Sequence, residues 1–312
     1  MNVDELHCDP HLFVEGASPN DVTQGILGNC WFVSACSALT HNQHLLDRVI
    51  PNSDQQEWGP KGQYAGIFRF RFWRFGQWVE VVIDDLLPTR DGKLLFARSK
   101  TPNEFWSALL EKAFAKLYGC YENLVGGHLS DALQDVSGGV AETINVAKFL
   151  KFDAMAKAVM LFNYLRDAFE NEALIVAAIA PKTKDEIEQT LDCGLVKGHA
   201  YAVTAVRFVE LDAKSSNGFS SLIFGSFDRQ QMIRLQNPWG EKEWNGPWSD
   251  NSKEWEQVTD SQKNSLGITV DEDGEFWQDA LGFICAVLYR HFRMSDVQYE
   301  SFYVVQKVRY MV

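Results

Sequence analysis

The sequence predicts an α+β fold in which a helix-led first lobe and a β-rich second lobe meet at a cleft. Apolar residues at helical spacing dominate the first half of the chain, whereas short runs of β-forming residues dominate the second. Glycine pairs at Gly126–Gly127 and Gly138–Gly139 mark the change. We therefore expect two lobes, residues 1–127 and residues 128–312, with the site between them.

Two helices that flank a β-hairpin are predicted in the first lobe. Helical spacing of apolar residues places one helix over residues 30–39. Alternation in residues 67–73 and β-forming residues in 78–83 indicate the hairpin. The second helix is expected over about residues 103–118, because Thr101 and an acidic residue three positions later have the spacing of a capping box.

The second lobe is predicted to consist mainly of strands. One long helix is expected over about residues 154–169. Short runs rich in β-branched and aromatic residues follow it and predict the strands. These runs are residues 174–179, 199–208, 222–224 and 232–236.

The composition argues against several classes of protein. With 46% hydrophobic and 23% charged residues, the chain resembles globular rather than disordered proteins. A net charge of −13 argues against nucleic acid as a partner, because nucleic-acid-binding proteins usually carry a basic face. The longest apolar runs are too short to cross a bilayer, and the first residues lack a secretory signal pattern. We therefore expect no transmembrane segment and a cytoplasmic location.

The six cysteines follow neither a zinc-binding nor a redox pattern, since no two have CxxC spacing. Reduced thiols are expected in a chain without a secretory signal. Cys30 lies at a predicted helix start, where the helix dipole favours the nucleophilic thiolate. The alternative, a packed core residue, is the commoner fate of a single cysteine before an apolar helical run, and we expect it for Cys36.

Two residues of the second lobe have settings compatible with catalysis. His199 follows Gly198, which lets other atoms approach the imidazole, and Asn237 precedes Pro238, which favours an extended backbone. Taken singly, the histidine is more often structural and the asparagine more often part of a turn. With Cys30 they form the chain order Cys, His, Asn of papain-like proteases, with spacings longer than the roughly 130–150 residues of those enzymes.

Longer segments of the chain resemble the protease core of the calpain family. Four blocks carry the resemblance: QGILGNCWF, LVKGHAYAV, RLQNPWGEKEWNGPWSD and DEDGEFW. The stretches NEFWSALLEKAFAKLYGCYE and FGQWVEVVIDDLLP are also similar, so the likeness extends from about Val14 to Trp277. Asn29, where many calpains have Asp, and the lack of an EF-hand loop make the chain most similar to the non-classical calpains.

The resemblance implies a papain-like cysteine protease fold and a role for each matched residue. Cys30 would attack the scissile carbonyl, and His199 would hold its thiolate and later protonate the leaving amine. Asn237 would orient the imidazole, and Gln24 would share the oxyanion hole with the backbone N–H of Cys30. Trp239 would shield the His–Asn bond from water. The implied partners are protein substrates, cut at a limited number of places, and calpain-type inhibitor proteins.

The resemblance also implies two calcium sites outside EF-hands, one in each lobe. Calcium prefers about six to eight oxygen ligands, which carboxylates and carbonyls supply. The first site would use Asp21 and Glu104 with the carbonyls of Val14 and Gly16. The second would use the side chains of Glu243, Asp250, Asp273 and Glu275 with the carbonyl of Asp271. Without the resemblance, these carboxylates would be interpreted as surface charge.

Two alternatives stay open from the sequence. Another papain-superfamily enzyme, such as a deubiquitinase or a transglutaminase, could carry the same triad, although the WGEKEW and GEFW blocks argue against it. The chain could instead be an inactive or weakly active calcium-responsive interaction module on a calpain core. Residues 143–190 match the family poorly, and the tail, residues 278–312, does not continue the resemblance.

Overall fold

The computed structural model describes residues 1–59, 64–149, 154–179, 181, 183–211, 229–268, 271–280 and 301–306. These residues form both α-helices and antiparallel sheets, which confirms the predicted α+β class. The helices are α1 (Val3–Leu6), α2 (Cys30–Leu39), α3 (Gln43–Val49), α4 (Trp106–Tyr118), α5 (Leu129–Ser137), α6 (Val146–Phe149), α7 (Ala154–Glu170) and α8 (Asp260–Leu266). The strands are β1 (Ile67–Arg74), β2 (Gln77–Asp84), β3 (Thr89–Arg90), β4 (Lys93–Leu94), β5 (Val140–Asn145), β6 (Leu174–Ile179), β7 (His199–Glu210), β8 (Arg229–Gln236), β9 (Glu275–Asp279) and β10 (Ser301–Gln306).

Helix α2 begins at Cys30, as predicted, and lies at the junction of the two lobes. Every residue from Trp31 to Leu39 is buried, which is typical of a helix that is packed on all sides. The helix contacts α5 in one direction and strands β6 and β7 in another. The first turn of α2 lies beside the start of β7, where the backbone of Ala200 is within hydrogen-bonding reach of the Cys30 sulfur.

The hairpin of β1 and β2 also confirms the sequence-based prediction. Arg74 pairs with Gln77, so Phe75 and Gly76 form a two-residue turn, and both have the positive φ that such a turn requires. The alternation places Phe68, Phe70 and Phe72 on the buried face of β1. These rings pack in the first hydrophobic core, with α2 and α4.

Helix α4 starts at Trp106, later than the capping-box pattern predicts. Glu104 does not return to the backbone of Thr101. Its carboxylate instead accepts hydrogen bonds from the backbone N–H of Val14 at 2.7 Å and from Ser99 Oγ at 2.7 Å. The predicted start of α4 was wrong because the Glu104 carboxylate, which the capping box would need, is bonded to Val14 and Ser99 instead.

A six-stranded antiparallel sheet, in the order β5-β10-β6-β7-β8-β9, forms the centre of the second lobe. Three of the predicted strands lie in β6, β7 and β8, and the fourth, residues 222–224, lies outside the described residues. Helix α7 packs on β6, β7 and β10, and this contact contains a second hydrophobic core. The position of β10, between β5 and β6, was not predicted.

The predicted boundary at residue 127 stays a prediction. Helix α5 follows that boundary, but its residues Leu133 and Val136 belong to the first hydrophobic core. Cys8, Cys30, Cys36, Cys120 and Cys193 are free thiols, as expected. No helix among the described residues combines the length and the apolar character that crossing a membrane requires.

Candidate active site

Cys30 is the first residue of α2, and its thiol lies against the start of β7. The backbone N–H of Ala200, next to His199, is within hydrogen-bonding reach of the sulfur. Burial raises the pKa of Cys30 to about 11, and the neighbouring N–H groups offset this only in part. The helix start favours the thiolate, whereas burial of the sulfur opposes it.

His199 and Asn237 are joined by a buried hydrogen bond. His199 is the first residue of β7, Asn237 follows the end of the neighbouring strand β8, and His199 Nε2 lies 2.9 Å from Asn237 Oδ1. The amide nitrogen of Asn237 donates to the carbonyl of Lys242 at 2.9 Å, so its oxygen is the atom that faces the ring. Nε2 therefore carries the hydrogen and Nδ1 is the other, unprotonated nitrogen. Burial lowers the pKa of His199 to about 4, so the ring is neutral near pH 7.

Trp239 packs over the imidazole of His199. Its ring centroid lies 4.5 Å from that of His199, and its backbone N–H donates to Asn237 Oδ1 at 3.0 Å. The ammonium of Lys242 lies 4.8 Å from the centroid of the same indole. The His–Asn pair is thus buried and covered on one side by an indole ring.

Gln24 connects the segment before α2 to the segment that carries Asn237. Its backbone N–H donates to the carbonyl of Pro238 at 2.7 Å. The side chain is buried, and Nε2 donates to the carbonyl of Leu27 at 2.6 Å, which leaves the second N–H of this amide for another acceptor. The four residues predicted for catalysis therefore lie in one neighbourhood, where the start of α2 meets β7 and β8.

In the first lobe, the carboxyl groups of Asp21 and Glu104 face each other in a buried position. They lie within hydrogen-bonding reach of one another, and burial together with the charge of Asp21 raises the pKa of Glu104 to about 7. Asp21 accepts from the backbone N–H of Ser18 at 2.6 Å, and Glu104 accepts from that of Val14. Gly16 follows in the same loop as Val14, with a φ of 94°. The donors brought together here are oxygens, which suit calcium.

In the second lobe, Glu243, Asp250 and Asp271 line a cavity of about 330 Å³. Burial and the charges of Glu243 and Asp273 raise the pKa of Asp250 to about 7. Glu275 differs, because its carboxylate accepts from Thr204 Oγ1 at 2.9 Å and lies 3.2 Å from Arg234 Nε.

The donor chemistry of both carboxylate groups fits a calcium ion, but their present arrangement is incomplete. In the part of the chain that the structure describes, no three His, Cys, Asp or Glu side chains converge closely enough to hold a metal ion. The nine predicted ligand residues therefore stay a prediction. Glu275 is the one whose contacts fit least well.

Two residues near the site were not predicted. Lys100 Nζ donates to the carbonyl of Asp273 at 2.7 Å and so links the loop next to Glu104 to the second lobe. No local pattern signals a contact between residues so far apart in the chain. Glu111 is buried on α4. Its position on the apolar face of that helix, three residues before Phe114, was a signal that the sequence contained.

Comparison with known proteins gives a consistent result. A family model described as calpain family cysteine protease matches residues 2–288. The chain is 70% identical over 284 residues to Calpain-5 of Caenorhabditis elegans, 50% over 271 residues to Calpain-5 of Mus musculus, and 42% over 281 residues to the Calpain-1 catalytic subunit of Gallus gallus. These alignments cover 90%, 86% and 90% of this chain but 44%, 41% and 36% of the relatives. The chain thus spans less than half the length of each.

Proposed function

The chain belongs to the calpain family of cysteine proteases, and on that basis we propose that it is a calcium-dependent endopeptidase with Cys30, His199 and Asn237 as its catalytic triad. The observation that carries the proposal is the buried 2.9 Å contact between His199 Nε2 and Asn237 Oδ1 beside the first turn of the helix that begins with Cys30. Its substrates are proteins, cut at few places, and its location is the cytoplasm. Calpain-type inhibitor proteins are proposed partners.

The proposed reaction starts with proton transfer from Cys30 to His199. Because Asn237 occupies Nε2, Nδ1 is the nitrogen that receives the proton. The sulfur then forms a bond to the scissile carbonyl carbon, and the resulting oxyanion accepts hydrogen bonds from the free N–H of Gln24 and the backbone N–H of Cys30. As the C–N bond breaks, His199 returns its proton to the leaving amine. Water, deprotonated by His199, hydrolyses the thioester and restores the thiol.

Burial opposes each of the two charges in this first step when it is formed alone. It raises the pKa of Cys30 to about 11 and lowers that of His199 to about 4. Proton transfer creates the thiolate and the imidazolium together, so their attraction offsets part of the desolvation cost. The reactive pair is therefore expected to form mainly when substrate is bound, with the hydrogen bond to Asn237 supporting the charged ring.

Calcium dependence is proposed from the two groups of carboxylates. Asp21 and Glu104, with the carbonyls of Val14 and Gly16, would hold one ion. Glu243, Asp250, Asp273 and Glu275, with the carbonyl of Asp271, would hold the other, once Glu275 leaves Arg234. Bound calcium would neutralise the mutual repulsion of the carboxylates and order their loops. We expect modest affinity, with dissociation constants of roughly 10⁻⁵ to 10⁻³ M.

The assignment of Cys30 is tested by Cys30→Ser, which we expect to abolish casein cleavage and leave the circular dichroism spectrum unchanged. A hydroxyl lacks the accessible ionisation of a thiol. Cys120→Ser, at an exposed cysteine, is the matched control and should retain full activity. Near wild-type turnover by Cys30→Ser would refute the assignment. Absence of cleavage by the wild type would favour the interaction-module alternative.

Calcium dependence is tested by casein cleavage in calcium and in chelator, together with titration calorimetry. We expect activity only with calcium, and weaker calcium binding by Asp21→Ala and by Asp250→Ala. These two are better probes than Glu275→Ala, which would also leave Arg234 without its ion pair. Undiminished activity in chelator would refute the calcium mechanism while the protease assignment stands.

A further inference from the structure

A buried carboxylate lies beneath the candidate active site and has no role in the reaction proposed above. Glu111, on α4, is 1% exposed. Its Oε1 accepts a hydrogen bond from Asn29 Nδ2 at 2.7 Å, and its Oε2 accepts one from the backbone N–H of Ala97 at 2.8 Å. Each oxygen is therefore used, and the two bonds run to segments that are distant in sequence.

The first of these segments carries the nucleophile. Asn29 is the N-cap of α2 and immediately precedes Cys30. Its carbonyl accepts hydrogen bonds from the backbone N–H groups of Phe32 at 2.9 Å and Val33 at 3.1 Å, which close the first turn of the helix. The hydrogen bond from the Asn29 side chain to Glu111 therefore also fixes the position of the helical turn that carries the Cys30 thiol.

The second segment, residues 95–98, is paired with the backbone of residues 23–26, which include Gln24. Thr23 and Arg98 exchange two backbone hydrogen bonds, of 2.8 and 3.0 Å, and the N–H of Ile26 donates to the carbonyl of Leu95 at 3.2 Å. Ala97 lies within this paired segment. The position of Ala97 therefore sets the position of Gln24, which is the proposed side-chain donor of the oxyanion hole.

We propose that Glu111 is a positioning residue that holds the Cys30 thiol and the Gln24 amide at a fixed separation. The inference rests on the proposed protease function, because it assigns Glu111 a role in that reaction. The Glu111 side chain, bonded at both carboxylate oxygens, connects the helical turn that carries Cys30 to the segment that pairs with the Gln24 backbone. The Cys30 sulfur and the Gln24 amide must act on the same substrate carbonyl. Small errors in such a separation reduce the rate steeply, since the attacking sulfur and the oxyanion donor must both be in place in the transition state.

Asn29 has the chemistry to serve Glu111 in either protonation state. Its Oδ1 is buried and has no hydrogen-bond partner among the described residues. If Glu111 is neutral, rotation of the Asn29 amide presents this oxygen to the carboxyl O–H, and both links are kept. Cys36 of α2 and Tyr121 are the titratable groups whose electrostatics Glu111 affects, and burial raises the pKa of each, so both stay neutral. The hydrogen bonds that join Glu111 to Asn29 and Ala97 can therefore persist whether the Glu111 carboxyl group is charged or neutral.

The test compares Glu111→Ala, Glu111→Gln, Asn29→Asp and the double variant Asn29→Asp/Glu111→Gln. Glu111→Ala should lower kcat on the order of 10²-fold with little change in KM, and should change the rate at which iodoacetamide modifies Cys30. Glu111→Gln should retain activity, because glutamine accepts from Ala97 and donates to the rotated Asn29. Asn29→Asp places two carboxyl groups together, so its kcat should fall as pH rises and their shared proton is lost.

The double variant is the decisive rescue. It again offers one carboxylate and one amide, with the amide now on residue 111, and it should recover the wild-type pH profile. Glu80→Gln, at an exposed glutamate, is the control and should behave as wild type.

Two outcomes separate this proposal from the protease assignment. An active wild type with unchanged kcat in Glu111→Ala, or no rescue in the double variant, would overturn the positioning role alone. Absence of activity in the wild type would refute the protease proposal. The rates at which iodoacetamide modifies Cys30 would then test the positioning role of Glu111. Equal Cys30 alkylation rates in wild type and Asn29→Asp at high pH, where the shared proton is lost, would overturn the role of Glu111 even if Glu111→Ala fails to fold.

Discussion

At the level of single residues, Asn237 determines how the imidazole of His199 is oriented. It is fully buried, and its amide donates to Lys242 and accepts from both His199 and Trp239. Because the amide nitrogen has an acceptor and the amide oxygen faces two donors, the amide has one orientation, which fixes which ring nitrogen carries the hydrogen. The geometry is typical of a residue that acts through the base rather than on the substrate.

Asn237→Ala is therefore expected to lower kcat about 10²-fold with little change in KM, because the orientation of the base matters most in the transition state. Steady-state kinetics on a peptide substrate measure both parameters. Asn171→Ala is the matched control, since Asn171 is exposed and its side-chain amide donates to the nearby carbonyl of Asp167. A change confined to KM would instead assign Asn237 to a binding surface.

At the level of elements, the segment before α2 runs so close to residues 95–98 that one position requires glycine. A Cβ at Gly25 would overlap the carbonyl oxygen of Phe96, whereas a Cβ at Gly28 would have ordinary contact with Val125 at 3.8 Å. Gly25 lies directly after Gln24. Pairing of these two segments therefore requires that residue 25 has no side chain. The position of Gln24, the proposed oxyanion donor, depends on the same pairing.

Gly25→Ala should accordingly reduce kcat at least about 10-fold through displacement of Gln24, while Gly28→Ala should remain within about 2-fold of wild type. Both variants keep Gln24 and Cys30, so a difference between them reports on backbone approach alone. Similar kinetics for the two alanine variants would contradict the prediction.

A buried polar contact joins three elements of the first core. Asp135 of α5 accepts from Arg74 of β1 and from the hydroxyl of Tyr118 of α4, at 2.9 Å in each case. We expect Asp135→Ala to lower the free energy of unfolding by about 2 kcal/mol, because both donors lose a charged acceptor. Urea denaturation measures the change. Asp167→Ala, at an exposed ion pair, should stay within about 0.5 kcal/mol, and equal effects would refute the expectation.

At the level of the whole molecule, contacts between distant parts of the chain hold the two halves of the site together. Gln24 donates to Pro238, and Lys100 donates to Asp273, a proposed calcium ligand. Lys100 thus contacts the loop of the second carboxylate group, while its neighbour Ser99 donates a hydrogen bond to Glu104 of the first group. Ordering one loop should therefore favour ordering of the other.

Lys100→Met is expected to raise the calcium concentration needed for half-maximal activity several-fold, with a corresponding loss of calcium affinity in calorimetry. Lys112→Met is the control, because Lys112 Nζ donates to the carbonyls of Asp84 and Leu86 and so acts within the first lobe. An unchanged calcium titration in Lys100→Met would show that this contact does not couple the two loops.

The elements that local patterns describe were predicted well. Helix α2, the β1–β2 hairpin and strand β6 have the predicted places, because helical spacing, turn residues and alternation are properties of neighbouring residues. The start of α4 was wrong because Glu104 has a tertiary partner. Strand β10 was missed because its place in the sheet depends on pairing with β5 and β6, from which it is separated by more than a hundred residues.

The sequence by itself determined the family, the α+β class and the order of Cys30, His199 and Asn237, because these are encoded in contiguous motifs. Only the tertiary structure decided how those residues are held. The bonds from Glu111 to Asn29 and Ala97, and from Gln24 to Pro238, join segments without any shared local pattern. Burial is also a tertiary property, since desolvation in the folded chain opposes the Cys30 thiolate that the helix start favours.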